Sequence, residues 1–382
     1  MNVLISTIKI SFVISLLAGA SCSLFLWLLS IVTEFRINWP FLIFCLPLFS
    51  LIQTYLNARF DAINISVPQI LKSLNSEERE YNLKASLFIL FSSLGTHLFG
   101  GSAGREGVGL IMASSLTDHF SNKNLNYSRH SILKASLAAG FSAMFATPLA
   151  GILFAFEMTK FEKRDIPLCA LSSFGALFVT YILKAPHTKY FLAEINVSWN
   201  WILIVLIVGV SCGLGAMLFY YGLGTISFIS NRIIKNRFLM AFLSTALVSF
   251  IALTFKQEQV LGIGIEEIQK SMTSSVSGTD WILKLVLTVL TIGVGLKGGE
   301  VTPLFFMGAT LSNFLAQNLG LDHVSLWSAL GFVTFFSAAA SSPLTAGFIA
   351  LELFSYKLFF PAILSSYLAC FIMNKRSIYL SK

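Results

Sequence analysis

The sequence predicts an all-α polytopic membrane protein built from two inverted-topology repeats of tilted and broken helices. Three observations carry that expectation: a shortage of charge, long uncharged apolar runs that fill the chain, and an internal repeat near half its length. Of the 382 residues, 55% are apolar and only 12% are charged, against about 25% charged in a soluble domain. Too few charges remain to cover a water-soluble enzyme of this length. Thirty-six Phe against nine Pro also exclude a disordered chain, and five Cys exclude a disulfide-dense secreted scaffold.

The apolar runs can be taken in order. Uncharged stretches cover Ile10 to Thr33, Ile37 to Ala58, Ala135 to Phe156, Ile166 to Leu183, Ile195 to Asn231, Phe238 to Phe255, Val301 to Leu321, Val324 to Leu351 and Leu358 to Asn374. A membrane span takes about 20 apolar residues. The runs are continuous, whereas an outer-membrane barrel would show alternating segments of about ten residues. Lys9 and Ala18-Gly19-Ala20 imitate a signal peptide, but the apolar run continues through Val32 and reads as a retained first helix. Cys22, Cys45, Cys169, Cys212 and Cys370 lie in or beside apolar runs without a CxxC spacing, as small buried residues do. The net charge of +8 is the cationic excess of membrane loops, and its scatter among acids argues against a nucleic-acid partner. The expectation is one transmembrane transport domain over residues 1–382, with halves at about 1–190 and 195–382, no soluble regulatory domain, and a place in the cell (inner or plasma) membrane.

A shift of 195 residues superimposes the halves. Ser142 to Glu157 falls on Ser337 to Glu352 with Ser, Ala, Pro, Leu, Ala and Glu coinciding and no gap. The same shift carries Gly104 to Gly299, Met112 to Met307 and Leu116 to Leu311. Duplicated halves are a common plan of secondary transporters, with the substrate near the midplane where broken helices meet. Thr147-Pro148, Thr302-Pro303 and Ser342-Pro343 each suggest a hydroxyl N-cap followed by Pro at N1, and Val67-Pro68 is a weaker case. Such starts leave backbone N–H groups unpaired and carry the positive end of the helix dipole. Gathered at one place they would bind an anion; at the water interface they would be ordinary span ends.

Gly100-Gly-Ser-Ala-Gly-Arg-Glu-Gly-Val-Gly109 follows an apolar stretch, and its glycines open the backbone to close approach. Arg105 and Glu106 each cost on the order of 3 kcal/mol at membrane depth. The other half repeats the order of glycine, cation, carboxylate and helix start in Gly295-Leu-Lys-Gly-Gly-Glu-Val-Thr-Pro-Leu304. A surface loop has no reason to repeat it.

Gly104-Arg-Glu-Gly107 resembles the G-(K/R)-E-G-P motif of the CLC family of chloride channels and anion/proton antiporters. Ala138-Ala-Gly through Pro148-Leu-Ala-Gly-Ile-Leu-Phe154 is similar to the family's next block. The resemblance runs from about residue 40 to Tyr379. Chloride-handling members carry G-G-x-F-x-P where this chain has Gly298-Gly-Glu-Val-Thr-Pro303, a form similar to the fluoride-exporting CLC-F branch. The resemblance implies a fluoride/proton antiporter exporting fluoride against proton influx, with a chloride/proton antiporter or chloride channel as the alternative. It implies Glu106 as the gating and proton-carrying glutamate, beside Gly107. Glu300, Val301 and Thr302 would be the anion-binding helix start, and Tyr379 a phenol reaching the central site. It also implies a homodimer in the bilayer.

Two departures stand out. Where chloride handlers have G-S-G-I-P, this chain has Asn64-Ile65-Ser66-Val67-Pro68, so Ile65, or Ser66 in a shifted register, takes the serine's place. The inner proton-transfer glutamate of chloride/proton exchangers falls on Met158, one position after Glu157. Glu157 and Glu352 are expected to be solvated or capped helix ends, not proton relays. No residues suggest a cofactor or a metal. A cation/proton antiporter is disfavoured because Asp61, Asp118, Asp165, Asp280 and Asp322 lie at run ends. No HExxH, aspartate pair or Ser–His arrangement supports an enzyme, and His97, alone well inside a run, reads as a buried neutral imidazole.

Overall fold

The first half of the computed structural model runs through α1 (Asn2–Asn38), α2 (Leu46–Arg59), α3 (Val67–Ser73), α4 (Leu83–Leu98), α5 (Glu106–Phe120), α6 (Arg129–Phe145), α7 (Pro148–Met158) and α8 (Ile166–Ile182). The second half answers with α9 (Trp201–Phe228), α10 (Arg237–Phe255), α11 (Ile265–Ser271), α12 (Asp280–Ile292), α13 (Val301–Asn318), α14 (Val324–Ala340), α15 (Pro343–Leu353) and α16 (Phe359–Ile372). The structure describes residues 2–59, 66–73, 83–120, 127–190, 201–255, 258–320 and 324–379, and among them there is no β-strand.

The 195-residue offset holds at the level of helix ends. It carries both ends of α6 onto those of α14, and both ends of α7 onto those of α15. The chain breaks between these helices for the same reason twice. Ala146 (φ 60°) and Ser341 (φ 64°) take the left-handed conformation that ends a helix. The next residue, Thr147 or Ser342, precedes a proline and is steered out of the α region. Two of the expected runs, Ala135 to Phe156 and Val324 to Leu351, are thereby each cut into two helices.

Among the described residues, five helical stretches are long and apolar enough to cross a membrane: Leu4–Asn38, Pro40–Arg59, Lys163–Ile182, Trp201–Ile233 and Arg237–Phe255. The protein is an integral membrane protein whose other helices are shorter. Helices α7 and α15 have 11 residues each, about 16 Å at 1.5 Å per residue, roughly half the hydrocarbon core. Large apolar residues on the long helices face outward, such as Phe12, Phe178 and Phe250. Helices α5, α6, α13 and α14 are instead buried along almost their whole length. The last two pack closely enough that a Cβ at Gly308 or Gly331 would strike the other helix's backbone. Charge pairs form inside. Lys134 donates to Asp165 and to the Lys160 carbonyl, both at 2.6 Å, and Arg129 grips Asp118 with two bonds of 2.7 Å.

The short half-spanning helices are joined crosswise. Glu157, at the end of α7, accepts the N–H groups of Leu344 and Thr345 at the start of α15, both at 2.8 Å, and the Thr345 hydroxyl at 2.5 Å. Glu352, at the end of α15, accepts those of Leu149 and Ala150 at the start of α7, both at 2.9 Å. Each helix thus ends where its counterpart begins, which makes the pair antiparallel and the repeat inverted. Of the two readings of Glu157 and Glu352, solvated or capped helix ends, the solvated one does not hold: both are half-buried and cap the opposite half's helix. Thr147 and Ser342 do hold the N-cap positions, but their buried hydroxyls have no hydrogen-bond partner. A carboxylate accepts two amides with charge assistance, and so displaces a neutral hydroxyl from that role.

Candidate functional site

The two repeats meet backbone to backbone at Gly104 and Gly299. Each donates its N–H to the other's carbonyl, at 2.5 and 2.7 Å, as an isolated antiparallel bridge. Glycine is required by proximity. A Cβ at Gly104 would lie 2.8 Å from Pro303 Cδ and 3.0 Å from the Gly299 carbonyl, and one at Gly299 would lie 2.8 Å from the Gly107 nitrogen. The approach to this bridge is held by Ser102, whose N–H donates to Thr291 Oγ1 at 3.2 Å and whose hydroxyl pairs with Thr288 at 2.9 Å. His97 is buried beside it, with Nε2 3.3 Å from the Gly104 carbonyl.

Helix starts follow directly on both sides of the bridge. Glu106 opens α5 and Val301 opens α13, with Glu300 as its N-cap residue. Thr302 therefore lies inside the first turn rather than at the N-cap expected from sequence. Its unpaired N–H and its hydroxyl point the same way, and both reach the Glu106 carboxylate, the N–H at 3.1 Å and the hydroxyl at 2.5 Å. Arg105 completes the seat, donating its N–H at 3.2 Å and Nε at 3.3 Å to the same carboxylate. Glu106 is 1% exposed. A buried carboxylate from one half therefore occupies the positive end of a helix from the other.

The remaining expected residues converge on this point. Gly107 packs against Gly299, and a Cβ on it would come 3.6 Å from Val67 Cγ2 and 3.7 Å from Glu300 Oε2. Val301 is fully buried. Tyr379 is buried and sets its ring edge-on to Phe154 at 6.3 Å. Its hydroxyl interacts with the Glu300 carboxylate, and the Glu106 carboxylate also acts on it electrostatically. Ser66 forms the bend ahead of α3, whose first residue, Val67, is the neighbour of Gly107. Ile65 and Asn64 lie outside the described residues. Glu106, Gly107, Glu300, Val301, Thr302 and Tyr379 are thus brought together, with Ser66 one residue from the cluster.

Sequence reasoning missed the second hold on Arg105. Its guanidinium Nη2 donates to Thr188 at 2.9 Å, in the extended segment that follows α8. That segment is pinned again where His187 Nε2 meets the Ala143 carbonyl at 2.8 Å and where Gln269 donates to the Lys189 carbonyl at 2.8 Å. No local pattern announces Thr188; its proximity depends on how the linker folds back.

The chain is similar to known proteins along most of its length. The family described as voltage gated chloride channel matches residues 48–374. The chloride/fluoride channel protein of Pseudomonas syringae pv. tomato is 32% identical over 357 residues, covering 89% of this chain and 78% of that one. The crystal structure of a CLC-type fluoride/proton antiporter is similar with a TM-score of 0.92 and 31% identity, over 98% of this chain and 97% of that chain. A slow cyanobacterial Cl−/H+ antiporter shares the fold, with a TM-score of 0.83 at 18% identity over 97% of this chain and 94% of that one.

Proposed function

This chain belongs to the voltage gated chloride channel family, the CLC proteins, and we propose that within it the protein is an antiporter that exports fluoride in exchange for protons. The observation that carries the reading is the Glu106 carboxylate seated on the N–H and hydroxyl of Thr302. That carboxylate is an anion bound where the donors of a helix start converge, so the same donors suit a transported anion.

The exchange follows from electrostatics. Two anions cannot share the seat without strong repulsion. Protonated Glu106 loses its charge, and with it the advantage of charge-assisted bonds to Thr302 and Arg105. The carboxyl group then leaves, and the anion takes the Thr302 donors. When the proton is released, the carboxylate returns and expels the anion. Proton and anion therefore pass the same point in turn. Glu300, Val301 and Thr302 form the anion-binding helix start, Gly107 gives the close approach, and Tyr379 offers a phenol beside the Glu300 carboxylate.

Fluoride suits donors of this kind. It is small and strongly hydrated, so a site must replace tight water contacts with short, strong hydrogen bonds. Backbone amides, a Thr hydroxyl and a phenol supply them with little bulk. The Glu300-Val301-Thr302 segment and the likeness to a CLC-type fluoride/proton antiporter support fluoride over chloride. The functional unit is a homodimer with one pathway per subunit, in the cell membrane. Purified protein in liposomes loaded with equal fluoride and chloride tests the reading: fluoride release well above chloride release supports it, and chloride release at an equal or higher rate refutes it.

A further inference from the structure

The 195-residue offset that pairs Gly104 with Gly299 also pairs two recesses. One lies where the end of α1, the Gly100 turn and the end of α10 meet, and apart from Arg36 its lining is apolar. Its counterpart lies where the end of α9, the Gly295 turn and the end of α2 meet. The offset carries Arg36 to Asn231, Gly100 to Gly295, and Ala58 to Leu253, each pair lining the equivalent place. Inverted repeats set such counterparts on opposite sides of the midplane.

The fold makes the recess twice, but the sequence makes only the second one polar. Arg237 and Lys297 line it together with Thr54, Asn57, Ser230 and Asn231. Every polar side chain there can donate a hydrogen bond, and none is a carboxylate. The cavity measures about 250 Å³, room for about eight waters at 30 Å³ each and so for a hydrated small ion. Lys297 is only 8% exposed. It lines this recess, stands three positions before Glu300 in the chain, and interacts with the Glu300 charge. One cation therefore lines the recess and acts electrostatically on Glu300, at the helix start that binds the Glu106 carboxylate. The turn at the mouth holds Arg232, Lys235 and Arg237 with no acid, the excess that marks a cytoplasmic face.

We propose that this recess is the cytoplasmic collecting vestibule for the transported anion: it takes a small, hydrated, monovalent anion, and Lys297 draws that anion toward Glu300 and Thr302. The proposal rests on the anion-transport reading above. A cleft lined by one sign of charge raises the local concentration of its counter-ion, which matters most for an exporter working at low internal fluoride. The counterpart across the membrane carries one cation, Arg36, in an otherwise apolar lining, against two cations and further polar side chains here, so the asymmetry favours loading from the cytoplasmic side.

The test is the concentration dependence of initial efflux from liposomes holding the full-length protein. Lys297→Met is expected to raise the half-saturating anion concentration about tenfold, with the proton-to-anion ratio unchanged and Lys297→Arg close to wild type. Arg237→Gln, at the exposed rim, should shift it in the same direction by less, and it carries the test if Lys297→Met does not fold. An unchanged half-saturation in Lys297→Met, or in Arg237→Gln where only that variant folds, overturns the proposal. A shift seen only with phosphatidylglycerol and absent in phosphatidylcholine would assign the recess to a lipid headgroup and also overturn it. The titration uses whichever anion the wild type carries, so failure of the fluoride reading is scored separately.

Discussion

Gly104 and Gly299 donate to one another's carbonyls at 2.5 and 2.7 Å, and they are the residues that the internal repeat makes equivalent. A reciprocal pair of bonds between equivalent residues places a local two-fold axis between them. The same axis relates the Glu157 cap of α15 to the Glu352 cap of α7. What does not obey it is the site itself: Glu106 in one half is matched by Val301 in the other, so a single carboxylate serves a shared seat. Symmetry builds the scaffold, and its local breaking assigns the roles.

Thr302→Ala should weaken fluoride binding more than it weakens the fold. The lost bond runs to a charged group, worth about 1.5–3 kcal/mol, so half-saturation should rise roughly tenfold or more. Thr302→Ser should restore it. Fluoride titration of efflux, with thermal unfolding alongside, checks this; equal loss of folded protein in the Ala and Ser variants would make Thr302 a structural residue only.

The two crossed caps should behave in the opposite way. Glu157→Ala and Glu352→Ala each strip a half-buried carboxylate from two backbone donors, at about 1.5–3 kcal/mol. Lower thermal stability is expected from both, with the proton-to-fluoride ratio intact in the protein that survives. A changed ratio in Glu157→Ala would instead put that residue on the proton route.

The bridge glycines should tolerate no side chain. Ala at Gly104 or Gly299 would place a Cβ within 3.0 Å of backbone atoms that cannot yield cheaply, so overpacking of about 1–3 kcal/mol is the least expected. Yield of monodisperse protein on size exclusion is the measure, with Gly295→Ala as a comparison, since a Cβ there meets open space although its φ of +93° is strained.

Lys134→Met should be costly although it lies apart from the anion. It would leave Asp165 buried without its cation, a loss of about 3–5 kcal/mol. Thermal unfolding should fall sharply, and Lys134→Met with Asp165→Leu should recover part of the loss.

Much of this fold was legible because its determinants are periodic or repeated. Uncharged runs mark spans, Pro after Thr147 and Ser342 marks breaks, and a gapless offset exposes the duplication. The convergence of Glu106, Glu300, Thr302 and Tyr379 was legible only through the family resemblance, since nothing local joins residues so far apart in the chain. The crossed contacts of Glu157 and Glu352 between the repeats were not legible at all. Glu157 coincides with Glu352 in the offset alignment, but alignment names equivalent positions and not the partners each one touches. Thr302 sits two positions further into the helix than Thr-Pro suggests, because Thr-Pro reads as cap and N1, whereas the helix starts two residues before Pro303, at Val301. The hydroxyl is then free to turn to the carboxylate in place of its own backbone.

The most direct test of the central claim, that Glu106 alternates with the anion at Thr302, is simultaneous recording of fluoride efflux and proton uptake in liposomes bearing the wild type or Glu106→Gln. The account predicts a fixed proton-to-fluoride ratio for the wild type and no fluoride-driven proton uptake for the variant, whose neutral side chain cannot carry a proton. Proton uptake persisting at the wild-type ratio in Glu106→Gln would contradict it.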